Sequence, residues 1–136
     1  KLIAAGAKID LQRKDGTTAL MIAIIDDRPV LSARLIAAGA NLDLQNEYGT
    51  TALMRAARMV HKEIAAKLIA AGAQLDLQDK QGMTVLIVAA IVGNMEVVNK
   101  LIAADVTLDL QCKQGATALM AAIHMGQTEV ADKLIA

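Results

Sequence analysis

The sequence predicts an all-α fold, an α-solenoid of helix-turn-helix units joined by short β-hairpin-like loops. Three observations carry that expectation. The phrase KLIAAGAKIDLQ at the start returns as LIAAGANLDLQ, LIAAGAQLDLQ and LIAADVTLDLQ at a constant spacing of 33 residues, and a period between about 20 and 50 residues marks a stacked repeat array. Each period passes from two stretches rich in helix formers to a short arm of alternating polar and apolar residues. The apolar 55% of the 136 residues is almost wholly Ala, Leu, Ile, Val and Met, with no Phe or Trp and Tyr48 as the single aromatic. Such small and aliphatic side chains suit helices packed at short interaxial distance.

The register is fixed at several positions at once. Gly16, Gly49, Gly82 and Gly115 share the spacing, as do Thr18, Thr51, Thr84 and Thr117, then Leu20, Leu53, Leu86 and Leu119. Asp-Leu-Gln recurs at 10–12, 43–45, 76–78 and 109–111. The chain therefore divides into the end of a truncated repeat (1–12), complete repeats at 13–45, 46–78 and 79–111, and a truncated repeat at 112–136.

Taken in order, a unit opens on a turn glycine and a threonine whose hydroxyl caps the first helix, as in Gly49-Thr50-Thr51-Ala52-Leu53-Met54. That helix breaks near Val60-His61, or Gly93-Asn94 in the next copy, where a second helix starts. Asn94 suits the N-cap of that second helix, and Pro29 suits its first turn, where the missing N–H costs nothing. The second helix runs through Lys67-Leu68-Ile69-Ala70-Ala71 and ends at Gly72, suited to a left-handed C-terminal cap. Gln74-Leu75-Asp76-Leu77-Gln78 then forms the extended arm. Two positions break the pattern. Asp105 replaces the capping glycine found at Gly6, Gly39 and Gly72, and is expected to hold a left-handed backbone at a cost of about 1 kcal/mol. Val60 replaces the inter-helix glycine of Gly93 and Gly126, and its β-branch predicts a different turn geometry there.

Composition also narrows function. The formal net charge is zero and the charges are dispersed, which disfavours binding driven by nucleic acid phosphates. The longest apolar run, Val85 to Gly93, is far short of the ~20 residues a membrane-spanning helix requires, so no membrane insertion is expected. The lone Cys112 excludes an internal disulfide and leaves the compartment open, with the cytoplasm as the default. Two histidines, one cysteine and one serine make a thin catalytic inventory. His61 and Glu63 do not have metal-ligand spacing, and Cys112 is separated from His124 by a turn and most of a helix, too far for a nucleophile and its base. Phosphate-cradling and paired-cysteine motifs are absent. No catalytic residue, cofactor or metal is expected.

Over nearly its whole length the sequence resembles the ankyrin repeat family. The family's G-x-T-P-L-H-x-A-A is met by Gly49-Thr50-Thr51-Ala52-Leu53-Met54-Arg55-Ala56-Ala57, with Ala for Pro and Met for His. Its V-V-x-L-L-x-x-G-A-D-V-N is met by the stretch Ile64 to Asp76. Met21, Met54, Ile87 and Met120 occupy the histidine position, so the resemblance implies cohesion between units that leans on apolar burial, with Met21, Met54 and Met120 in the core. It also implies a non-catalytic interaction module whose concave face, made of hairpin tips and first helices, grips a protein or peptide. The positions that match contact sites include Tyr48 and Met83 at the tips, and Arg58, Met59, Ile91, Val92, His124 and Met125 at the ends of first helices. The tips also bring Lys14, Asp15 and Thr17 toward that face. Methionine adapts to varied surfaces, while tyrosine and arginine are common anchors. The competing expectation is a structural spacer within a longer array. Neither Lys1-Leu2-Ile3-Ala4 nor the amphipathic closing helix carries the polar outer face of a capping repeat, which predicts a piece of a longer array whose bare ends stack head to tail.

Overall fold

The computed structural model describes residues 7–59 and 62–136. Among these residues the chain forms eight helices and no strand, paired along the sequence. The pairs are α1 (Ala19–Ile25) with α2 (Pro29–Ala37), α3 (Ala52–Arg58) with α4 (Lys62–Ala70), α5 (Val85–Val92) with α6 (Met95–Ala103), and α7 (Ala118–His124) with α8 (Thr128–Ile135). Each first helix packs against the first helix of the next pair, and each second helix does the same, giving two parallel layers of a solenoid. The turn expected at Val60-His61 lies outside the described residues, as does Gly6.

Local chemistry sets the element ends. The hydroxyls of Thr18, Thr51, Thr84 and Thr117 accept the N–H of the residue three positions on, satisfying one of the orphan donors at each helix start. Asn94 does the same for α6 through the Val97 N–H, and Pro29 opens α2. Asp105 holds the expected left-handed backbone at φ 63°. Asp27 does so too, at φ 54°. It occupies the inter-helix position of Gly93 and Gly126, and aspartate is among the few side chains that tolerate this region.

The core is a continuous aliphatic seam. Leu20, Leu53 and Leu86 from the first helices and Leu68, Leu101 and Val130 from the second are all at most 2% exposed. Ala56, Ala57, Ala89, Ala90 and Ala122 are fully covered, and these small residues allow adjacent layers to approach. Met21 and Met54 are 3% exposed as expected, whereas Met120 is 53% exposed. The helices of the first two, α1 and α3, each pack against the first helix of a following unit, and among the described residues no helix follows α7 in that layer, so the same residue type at the same position is left bare. Thr17, placed on the contact face by the sequence, is 7% exposed and belongs to the interior.

Polar ladders run alongside this seam. The Gln12 side-chain amide donates to Gly16 O at 2.8 Å, four residues on, and to Gln45 O at 3.1 Å, one full period on. Gln45 repeats this with Gly49 O and Gln78 O, and Gln78 with Gly82 O and Gln111 O. A second ladder joins Asp10 Oδ1 to the Asn41 N–H, Asp43 to Gln74 and Asp76 to Thr107. A third links the tips, where the N–H groups of Glu47, Lys80 and Lys113 donate to the carbonyls of Asp15, Tyr48 and Gln81. Unit cohesion is therefore both apolar and hydrogen-bonded, and the recurring Asp-Leu-Gln supplies two of the three ladders.

Candidate partner-binding surface

The hairpin tips are tight turns. In the second unit Gly49 N–H donates to Asn46 O at 2.8 Å and Asn46 N–H to Thr50 O at 3.1 Å. Asn46 Oδ1 accepts from the Tyr48 and Thr50 N–H groups, and Asp79 Oδ1 accepts from Gln81 and Met83 in the third unit. The first tip uses Asp15, whose carboxylate accepts the Thr17 N–H and pairs with Arg13 at 2.8 Å. Bonding to Arg13 and then to Thr17 holds this carboxyl well below the usual carboxylate range. Cys112 stands in the fourth tip where Asn46 and Asp79 stand in the second and third. It is buried and a thiol is a poor acceptor, so that tip lacks the side-chain brace of the other three.

These turns fix where the predicted residues stand. The Tyr48 N–H and C=O are both engaged, by Asn46 and Lys80, while its side chain is 65% exposed. Arg58 ends α3 in an exposed position, with Met59 as the C-cap residue next to it, 37% exposed. His124 and Met125 hold the equivalent places on α7, both exposed. Ile91 and Val92 close α5 and are half-buried. Met83 and Ile91 rest against the core, so each presents only part of its surface.

Because α3, α5 and α7 pack side by side, equal register becomes spatial adjacency. One row reads Ile25, Arg58, Ile91, His124 and the next reads Asp26, Met59, Val92, Met125. Ile25 and Asp26 extend these rows at their start, both exposed. A further residue, Arg55, stands one turn before Met59 on α3, half-buried and without an ion-pair partner among the described residues. Its signal in the sequence is a break in register, since Ile22, Val88 and Ala121 hold that position elsewhere. With Arg55 and Arg58 and no acidic residue, α3 gives the middle of this surface a cationic centre between apolar flanks.

The scattered nucleophiles stay apart. Ser32 is fully buried with its hydroxyl donating to Arg28 O at 2.9 Å, and Cys112 is buried at a tip while His124 is exposed at a helix end. His61 lies outside the described residues. Among the described residues no group of three or more His, Cys, Asp or Glu could hold a metal ion, and no helix is long and apolar enough to cross a membrane.

A family model described as ankyrin repeats (3 copies) matches residues 1–79 and 61–136. Among curated proteins, none matches the chain.

Proposed function

Because the chain belongs to the ankyrin repeat family, whose members are generally protein–protein interaction modules and generally non-catalytic, we propose that its concave face binds a protein or peptide. The observation that supports this reading is the row of side chains at the ends of α3, α5 and α7, exposed on α3 and α7 and half-buried on α5, together with the exposed Tyr48. Arg58 supplies charge-assisted hydrogen bonds to an acidic group, with Arg55 adding to the local field. Tyr48, Met59, Met83, Ile91, Val92 and Met125 supply apolar contact, and His124 adds a polar end to the row. The ligand class is thus a segment carrying a carboxylate flanked by apolar side chains.

The test is retention of partners on the immobilised 136-residue chain, followed by mass identification and affinity measurement for whatever is retained. The double change Met59→Ala, Ile91→Ala is expected to weaken binding at least tenfold, and Arg58→Ala to weaken it by a similar factor, as about 1.4 kcal/mol at a central anchor would do. Unaltered affinity in both variants overturns the assignment. The hydrogen-bonded ladders favour a second reading, a stiff spacer without a dedicated ligand. Deletion of one 33-residue unit would then impair function while exchange of the concave side chains would not.

A further inference from the structure

Arg55 and Arg58 are the two cations of α3, and α3 carries no acidic residue. Residues three apart on a helix are surface neighbours, with Cβ atoms about 5–6 Å from each other, so both long side chains can reach one bound group. Among the described residues neither guanidinium has a hydrogen-bond or ion-pair partner. Asp26, in the Met59 row on α1, and Glu47, beside Tyr48 at the tip, are exposed carboxylates that pair with neither arginine.

The frame around the pair is apolar. Because α1 and α5 pack on α3, equal register puts Ile22 and Val88 beside Arg55, and Ile25 and Ile91 beside Arg58. Arg58 is exposed, whereas Arg55 is half-buried next to a Val88 that is 1% exposed. Ile22, Val88 and Ala121 fill the Arg55 place in the other units, so the stack itself has no need of a charge there. A segment lying across this face removes water from both guanidiniums. One carboxylate then balances one positive charge and leaves the other covered and uncompensated, and a covered charge without a partner is strongly unfavourable. Two negative charges balance both, and each guanidinium fork takes carboxylate or phosphate oxygens in pairs.

We propose that the segment bound on this face carries a second negative charge for Arg55, so that the Arg55–Arg58 pair reads a doubly anionic group. This rests on the reading of the concave face as a protein- or peptide-binding surface, and adds to it the charge of the ligand and the residue that selects it. Two adjacent carboxylates supply that chemistry, and so does one phosphate monoester, with a charge of about −1.5 to −2 at neutral pH and three acceptor oxygens. Arg58 engages singly and doubly charged segments alike, and Arg55 discriminates between them.

Peptide arrays with degenerate apolar flanks and a fixed centre of Ala-Glu, Glu-Glu or Ala-phosphothreonine test this, followed by fluorescence anisotropy on the retained flanks with each centre. With the wild-type chain, Glu-Glu or Ala-phosphothreonine is expected to bind at least about tenfold more tightly than Ala-Glu on the same flanks. The tighter of the two identifies the source of the charge. In Arg55→Gln and in Arg55→Ile that gap is expected to shrink below about twofold while Ala-Glu binding itself changes little, the signature of a coupled pair. Both variants are expected to keep their helical circular dichroism, since isoleucine stands at this place in the first unit. The inference is overturned by a wild-type chain that holds Ala-Glu as tightly as both doubly charged peptides, or by a gap that persists in the folded Arg55 variants. The reading of the face fails separately, if Met59→Ala, Ile91→Ala leaves every affinity unaltered while the Arg55 effect remains. Arrays that retain no peptide overturn both.

Discussion

The third and fourth units share their tip glutamine and glycine, their capping threonine and the leucine after it, yet equal positions do different work in them. Gly82 and Gly115 share a position and a left-handed backbone, with φ 78° and 84°. A Cβ on Gly82 would stand 2.8 Å from Lys113 N and 2.9 Å from Cys112 Cα, while nothing lies within 4 Å of one on Gly115. Gln78 bonds two carbonyls and Gln111 only one. Met54, in the second unit, is covered, and Met120 is bare. In a solenoid the sequence of a unit sets its internal geometry, and its neighbours set what each residue contributes to stability.

Paired substitutions break or sharpen that contrast. The largest effect is expected at the core methionines. Met54→Ala should cost about 2–5 kcal/mol in denaturant unfolding, and Met120→Ala at most about 0.5 kcal/mol. Equal losses would mean that α7 is covered in solution. Next, Gly115→Ala should cost about 1 kcal/mol for its backbone conformation. Gly82→Ala should cost about 1–3 kcal/mol more, because backbone of the next tip must move. Gln78→Ala should destabilise by about 1 kcal/mol, with Gln111→Ala costing less, since it breaks one bond in place of two. The smallest signal belongs to Asp15. Its carboxyl is held below the usual value, so its contribution is complete above the ordinary aspartate pKa and is lost only as pH falls through the lower folded value. A side-chain carbon titration by NMR should find Asp15 still ionised where an ordinary aspartate, pKa about 3.9, is mostly protonated. In Arg13→Ala that titration should move toward the ordinary range.

Much of this was legible beforehand because it is local. The threonine caps, Pro29, Asn94 and the left-handed Asp105 each follow from one residue and its immediate neighbours. Asp27 was equally readable, since counting back 33 from Val60 reaches it, but a fold assembled from the glycine copies passes over the copy without glycine. The ladders were not legible. The Asp-Leu-Gln repeat is plain in the sequence, whereas the bond from Gln45 to Gln78 O depends on how far apart two stacked tips stand. Exposure at the fourth unit is not legible for the same reason: register groups Met120 with Met21 and Met54, and burial is decided by what lies on the other side. On the candidate surface, register alone puts Arg58, Met59, His124 and Met125 at exposed helix ends, while the partial cover on Met83 and Ile91 is a matter of packing.

The glutamine ladder also acts as a ruler. Each interior amide engages a carbonyl in its own turn and another one unit away, so neighbouring tips cannot spread or close without giving up a bond. A ligand bound as proposed, lying across several units, would meet contact points at a fixed pitch, and accommodation would come from side chains. The soft residues of this surface, Met59, Met83 and Met125, are suited to that. Selection among ligands would then rest on length and spacing, read by a stiff backbone through compliant methionines.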